Sequence, residues 1–385
     1  MHHTPVTSPN DPNAFDWQPR TRLVVGAGTL GRIGEIASAL GGKRALVVTD
    51  RGIVAAGHAE KACDFLRAAG LAVSVDDGVR ENPTTADVAR CVGIAAEAGA
   101  DILIGLGGGS SMDTAKGANF ILTNGGEMRD YWGVGKASNP MLPLIAVPTT
   151  SGTGSECQSA ALIADEVTHQ KMACLDPKAA ARVAILDPVL TLSQPARVTA
   201  CTGVDALAHA VESAVTKKRT PLSALFSKEA FRLCSDALPR VMCEPSDIAA
   251  RARMQLGAAY AGLAIEYSML GGAHSMANPL TAHHGVVHGQ AVGIMLPGIV
   301  RFNANVPGIY DDLLSANGMR DAEQLASALE RILALSGLAA PLREFGVTAD
   351  GVPALAAEAA QQWTANFNPR PITAGDFENL YSAAL

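Results

Sequence analysis

The 385-residue chain has no C-x-x-C pair, no excess of positive charge and no uninterrupted apolar run of membrane-spanning length. Each absence removes a class of function. The seven cysteines (Cys63, Cys91, Cys157, Cys174, Cys201, Cys234, Cys243) are odd in number and unpaired by spacing. They exclude a disulfide framework and predict reduced thiols in a cytoplasmic protein. A formal net charge of −7 lacks the basic footprint that nucleic acid or an anionic membrane surface demands. Residues 1–20 are rich in proline and polar side chains and contain no apolar core of the kind a signal peptide needs, so they read as a flexible arm. No internal repeat or low-complexity tract is present.

What remains is a chain that is 48% hydrophobic and 17% charged, long enough for two domains with sizeable cores. Short apolar runs alternate with helical stretches through the first half: 22–25, 44–50, 71–75, 101–106, 144–148 and 183–187. This is the rhythm of a mostly parallel sheet covered by helices. After Pro195 the strand signal gives way to long Ala/Leu-rich segments. The expectation is an α/β dinucleotide-binding domain over 21–195 followed by an all-helical metal-binding domain over 196–385.

Four side chains of the second half look like ligands of one divalent ion: Asp205, His209, His274 and His288. Asp205 and His209 stand four apart in an Ala-rich helical stretch and so share a face. A lone Asp-x-x-x-His is more often a surface or capping pair. Here, however, four of the nine histidines fall between positions 274 and 288, among Gly, Ala, Met and Leu. One carboxylate and three imidazoles suit Fe²⁺ or Zn²⁺ and leave room for a further ligand. Pro279 is expected to end the helix that carries His274 and to lead into a loop bearing His283, His284 and His288.

The first half carries loops suited to a dinucleotide. The strand ending at Leu106 runs into Gly107-Gly108-Gly109-Ser110-Ser111-Met112-Asp113-Thr114-Ala115-Lys116, a glycine-rich turn opening a helix, where bare amides and the helix dipole favour a pyrophosphate. A second turn, Gly26-Ala27-Gly28-Thr29-Leu30-Gly31, fits G-x-G-x-x-G literally but follows an edge-like strand and ranks below the first. Asp50, at a strand end, suits the ribose 2′-OH of NAD and repels the 2′-phosphate of NADP. Thr149 and Thr153, in Pro148-Thr149-Thr150-Ser151-Gly152-Thr153-Gly154-Ser155-Glu156, are expected to contact the nicotinamide half.

In this order the motifs resemble the iron-containing (group III) alcohol dehydrogenase family, over nearly the whole chain after residue 20. The resemblance extends to Asp77-Gly78-Val79, Asn82-Pro83-Thr84 and Asn368-Pro369-Arg370-Pro371-Ile372-Thr373. It implies an active site in the cleft between the domains, hydride transfer between a small alcohol or aldehyde and NAD, and Asp205, His209, His274 and His288 as metal ligands. Phosphates are expected at Gly108, Gly109 and Ser110, with Asp113 in the same cofactor-binding turn, and Lys171 matches a cofactor-contacting lysine. The Gly26–Gly31 turn lies outside the family's pyrophosphate site. Many members carry a histidine four residues after the third ligand, implicated in proton transfer; here that position is Asn278, which cannot shuttle a proton. His283 and His284 are the candidates to compensate, the alternative being plain solvated residues.

Other readings compete. A dehydroquinate-synthase-like lyase shares the two-domain plan but needs a basic phosphate-recognising pocket, whereas Ala, Met, Leu and Tyr267 surround the ligands. Maleylacetate reductases and hydroxyacid–oxoacid transhydrogenases are branches of the same family. A non-catalytic NAD- or metal-binding sensor draws on Asn278 alone. A sheet edge near Arg22–Val25 would permit pairing into a homodimer or higher oligomer.

Overall fold

A computed structural model describes residues 17–385, apart from residue 169. Its strands are β1 (Arg22–Val25), β2 (Arg44–Val48), β3 (Ala72–Asp76), β4 (Ile102–Gly107), β5 (Gly133–Val134), β6 (Leu144–Pro148), β7 (Ala160–Ala164), β8 (Lys171–Leu175) and β9 (Val183–Leu186). Six of them form one sheet in the order β1-β9-β6-β4-β2-β3, with every pair parallel. All six lie where the apolar runs predict them. The other three form a small sheet in which β8 pairs parallel with β5 and antiparallel with β7. Sequence patterning misses this second sheet because β7 and β8 are built largely of Ala, Leu, Met, Cys and Lys, with Ile163 their single β-branched residue.

A parallel sheet is covered on both faces, and successive side chains of a strand divide between them. Ala45 and Val47 of β2 join the core formed with helices Ile33–Ala39 and His58–Ala68. Leu46 and Val48 join the opposite core, with Cys91, Ala95, Met112 and Ala115 of helices Thr85–Ala98 and Gly109–Asn124. The connection leaving β2 thus covers one face and the helix following β4 covers the other. Since β2 and β4 are neighbours, their carboxyl ends flank a topological switch point, the crevice where open α/β sheets hold ligands.

From Ala196 onward the described residues are helical, around one core. Helix Ala196–Val215 runs through its middle, and its small side chains let neighbours come close. At Gly289 a Cβ would stand 2.0 Å from the Cys201 carbonyl oxygen, so only glycine lets helix His288–Asn303 abut it there. No described helix is long and apolar enough to cross a membrane.

Two expectations need correction. Helix Gly272–His284 continues through Pro279 instead of ending there. The proline removes one N–H from the ladder, and the Tyr381 hydroxyl donates to the neighbouring Met276 carbonyl at 2.6 Å inside the core, which holds the segment in place. His283 and His284 are consequently in the last turn of that helix and not in a loop, and His288 opens the next helix. At the other end of the chain, residues 1–16 of the arm lie outside the described residues. Trp17 packs on Phe226 and Tyr267, and Arg20 pairs with Glu266, so the end of the arm docks on the helical half.

Candidate active site

On helix Ala196–Val215, positions 205, 209 and 212 are spaced i, i+4 and i+7 and share one face. The close crossing at Gly289 and the start of helix Gly272–His284 bring two more side chains to the same place. The Nε2 atoms of His209, His274 and His288 stand 3.4, 3.5 and 3.9 Å from a single atom, Asp205 Oδ1. Donor atoms held about 2.1 Å from one tetrahedral ion are about 3.4 Å apart, so these separations are those of a ligand set. Asp205 Oδ1 and His274 Nε2 are buried without hydrogen-bond partners, a state that is costly unless a cation completes them. Asp205, His209 and His274 were alone among the described residues in forming a buried cluster of this kind.

The charges agree with that reading. Burial opposes ionisation of Asp205, yet the surrounding imidazoles hold its carboxyl far below the usual carboxylate range. Burial keeps His209 and His288 neutral by lowering both pKa values. His274 goes the other way: burial disfavours its charge, but Asp205 and Glu212 lift it to about 9. Asp205 is thus ionised, two imidazoles are neutral and ready to ligate, and at His274 a proton stands where a cation would. The residues fit a divalent ion.

The sheet half presents its groups at the switch point. Gly107 has φ +148°, and Gly109 opens the helix so close to Thr153 that a Cβ would lie 2.9 Å from Thr153 Cγ2. Asp50 ends the segment after β2, where Oδ1 accepts from the Ile53 amide at 3.0 Å and Oδ2 faces Gly107. The Thr149 amide donates to Gly107 O at 2.9 Å, which lays the Thr149–Ser155 loop beside the turn. Lys171 Nζ donates to Asn82 Oδ1 at 3.4 Å, and both Asp113 and Asp205 are near enough to influence its charge. In the other glycine turn, the amides of Gly28 and Leu30 are both taken at 3.0 Å by the Asp187 carboxylate. No phosphate could use them.

A buried lysine ties these parts together. Lys116 Nζ donates to Ser155 O, Ser155 Oγ and Ala160 O at 2.6, 2.8 and 3.0 Å, and Ser155 Oγ donates to Asp113 at 2.7 Å. Burial pushes the lysine pKa down and the Asp113 pKa up. The loop so anchored reaches the helical half, where Gly152 packs on Thr202, three residues before Asp205. The glycine turn and the ligand cluster are thus joined through one short loop. Sequence reasoning missed Lys116 and Glu212 as parts of this assembly. The i+7 spacing from Asp205 was a signal for the second.

Two candidates lie apart from the cluster. His284 is ten residues beyond His274, about 15 Å along the helix, and its Nδ1 faces the Phe345 carbonyl at 3.2 Å. The loop placement that made it a candidate does not hold, because the helix carries it past the site. His283 is exposed and meets Glu358 at 2.6 Å. Asn278, one turn from His274, donates to Gln362 Oε1 at 3.0 Å.

The iron-containing alcohol dehydrogenase model matches residues 19–188, and the C-terminal model of the same family matches residues 199–385. The chain belongs to the iron-containing alcohol dehydrogenase family and is an oxidoreductase of alcohols and aldehydes. It is 33% identical to the NAD-dependent methanol dehydrogenase of Bacillus methanolicus, over 94% of this chain and 97% of that one. To the lactaldehyde reductase of Escherichia coli (strain K12) it is 35% identical, over 93% and 96%. The crystal structure of a 1,3-propanediol oxidoreductase superposes with a TM-score of 0.93 at 31% identity, covering 97% of this chain and 100% of the other.

Proposed function

We propose that this protein is an NAD-dependent, metal-dependent dehydrogenase that interconverts a small alcohol and its aldehyde. The observation that carries the reading is the convergence of three imidazole nitrogens on the unpartnered Asp205 Oδ1, joined by one loop to a glycine turn at the sheet's switch point. Asp205, His209, His274 and His288 hold Fe²⁺ or Zn²⁺, which supplies Lewis acidity to the substrate oxygen. NAD supplies the hydride acceptor, and the name of the Bacillus methanolicus relative supports that choice.

The chain's own residues bind and orient. Backbone amides at Gly108, Gly109 and Ser110 receive the pyrophosphate at a helix N-terminus. Asp50 keeps Oδ2 for the ribose hydroxyls. Thr149, Thr153 and Lys171 face the nicotinamide half. Asp113, which accepts from Ser155 Oγ at 2.7 Å, joins the same cofactor-binding turn to the Thr149–Ser155 loop. Asn278, whose amide N–H is committed to Gln362, retains a carbonyl oxygen to accept from a substrate hydroxyl.

The test is NADH formation from short-chain alcohols and diols, with and without a chelator. Activity is expected to vanish in chelator and to return with Fe²⁺ or Zn²⁺. His288→Ala is expected to lose metal and turnover together while still binding NADH. Full activity in chelator would overturn the proposal.

A further inference from the structure

We infer that Glu212 is a positioning residue for the metal site: its buried carboxylate selects the tautomer of His274 that leaves Nε2 free to ligate a cation beside Asp205, and at the same time caps the helix bearing that histidine. The inference rests on the metal reading above.

Glu212 is 2% exposed and touches three groups of one segment. Its Oε1 accepts from the Ala273 amide at 2.7 Å, while Oε2 faces His274 Nδ1 at 2.5 Å and the His274 amide at 3.4 Å. Ala273 and His274 are the second and third residues of helix Gly272–His284, whose N-cap, Gly271, has no side chain to offer. A helix start left without acceptors is costly, and a carboxylate there also meets the positive end of the dipole. Asn368, in the Asn368-Pro369-Arg370 motif, completes the cap: its Oδ1 accepts from the Gly272 amide at 3.4 Å and from Asn303 Nδ2 at 3.1 Å. Only Glu212 among these capping groups also reaches the imidazole.

A carboxylate can only accept, so a neutral, ligating His274 carries its proton on Nδ1, which leaves Nε2, 3.5 Å from Asp205 Oδ1, free to bind a cation shared with that oxygen. Orientation of ligating histidines through the other ring nitrogen is the general way proteins fix such sites, and its loss typically weakens metal affinity 10–100-fold. Because Glu212 lies on the helix of Asp205 and His209, it registers the third ligand against the first two.

Substitution by glutamine separates positioning from packing. The amide has the same shape but one acceptor and one donor. If its oxygen keeps the Ala273 amide, its NH₂ faces His274 Nδ1, which must then accept and move the ring proton to Nε2. The opposite orientation sets two N–H donors against each other at Ala273.

The test is equilibrium titration of metal-stripped protein with Co²⁺, read by its visible absorption and by competition with a chelator, together with the thermal midpoint of each metal-free variant. Glu212→Gln is expected to bind about 10–100-fold more weakly than wild type, with an altered cobalt spectrum. Asn368→Ser, which weakens the cap without touching His274, is expected to lower the midpoint and leave cobalt affinity unchanged. Equal affinity of wild type and Glu212→Gln would overturn the inference and leave the metal site standing. Absence of cobalt binding by wild type would overturn the metal site, and the inference with it. Should Glu212→Gln not fold, Glu212→Asp keeps the charge but shortens the reach to Nδ1, and wild-type affinity in that variant overturns the inference equally.

Discussion

The two halves of the molecule present their reactive partners by different means. In the proposed reading the sheet half offers mainly backbone: amides at Gly108 and Gly109, bared by the absence of Cβ and aimed by a helix N-terminus, with the partly buried Asp50 as its group for choosing between NAD and NADP. The helical half offers side chains: three donors pressed into a buried cluster by close helix packing, with Glu212 behind them, and the partly exposed His288 beside them. A backbone site is cheap to bury because its polar groups have partners in secondary structure; a cluster of titratable side chains is not, and each member needs a counterpart. The sheet half should therefore tolerate single side-chain losses better than the helical half. The place to break this contrast is where a buried charge intrudes on the backbone side.

That place is Lys116. Its ammonium is wholly enclosed and holds Ser155 and Ala160, and through Ser155 it holds Asp113. Lys116→Met removes the donor and leaves Asp113 buried beside an apolar chain, a loss of about 3 kcal/mol. Urea unfolding should show it, together with a rise in the KM for NAD as the Thr149–Ser155 loop loosens. The double variant Lys116→Met/Asp113→Asn should recover part of the stability, since no uncompensated carboxylate remains. Unchanged stability of the single variant would mean that the backbone alone holds this loop, and the contrast would be sharper than drawn.

The same contrast explains which features were legible. Strand positions were readable because a doubly covered sheet writes itself as Val/Ile/Leu runs, and β1, β2, β3, β4, β6 and β9 start and end within two residues of the expected bounds. The convergence of Asp205, His209, His274 and His288 was legible because the chemistry of a candidate metal site restricts it to few residue types. Lys116 and Glu212 were not, because a lysine or glutamate in a helix is ordinary until the fold buries it, and burial is a tertiary property. Pro279 misled for a related reason: the local rule ends a helix at proline, while core packing against Tyr381 carries this one onward and takes His284 away from the site.

A smaller effect is expected where the sheet half does rely on charge. Asp87 is buried between Arg80 and Arg90, with contacts of 3.1 and 2.7 Å, and also accepts from the Thr84 amide at 3.0 Å. Burial alone would raise its pKa, but these partners hold it at about 2, below the ordinary 3.8. A depressed pKa contributes stability that is present above the unfolded value and lost as pH falls through the folded one. The difference corresponds to about 2 kcal/mol. Arg90 also binds Asp76 at 3.0 Å and leans on Gly78, which is bridged to Asp50. Asp87→Asn is expected to cost about 2 kcal/mol at neutral pH, with the gap from wild type narrowing between pH 3.8 and about 2. Parallel unfolding curves across that window would show that the arginines, and not the charge on Asp87, brace the strand end.

The smallest effect concerns cofactor choice. Asp50 uses Oδ1 to cap the short helix Arg51–Ala55 and leaves Oδ2 facing Gly107, where an adenosine ribose would lie. A carboxylate there accepts from ribose hydroxyls and repels a 2′-phosphate, so Asp50→Gly should lower the ratio of kcat/KM for NAD over NADP about tenfold, or about 1.4 kcal/mol. Glycine also removes the cap, so Asp50→Ser is the cleaner variant: a serine hydroxyl can still receive the Ile53 amide while the negative charge is gone. If both variants relax the preference alike, the charge is the discriminator. If only Asp50→Gly does so, cap geometry sets the preference by placing the turn. An unchanged ratio in both would remove Asp50 from cofactor selection, leaving the adenosine side of the sheet half's recognition to its backbone.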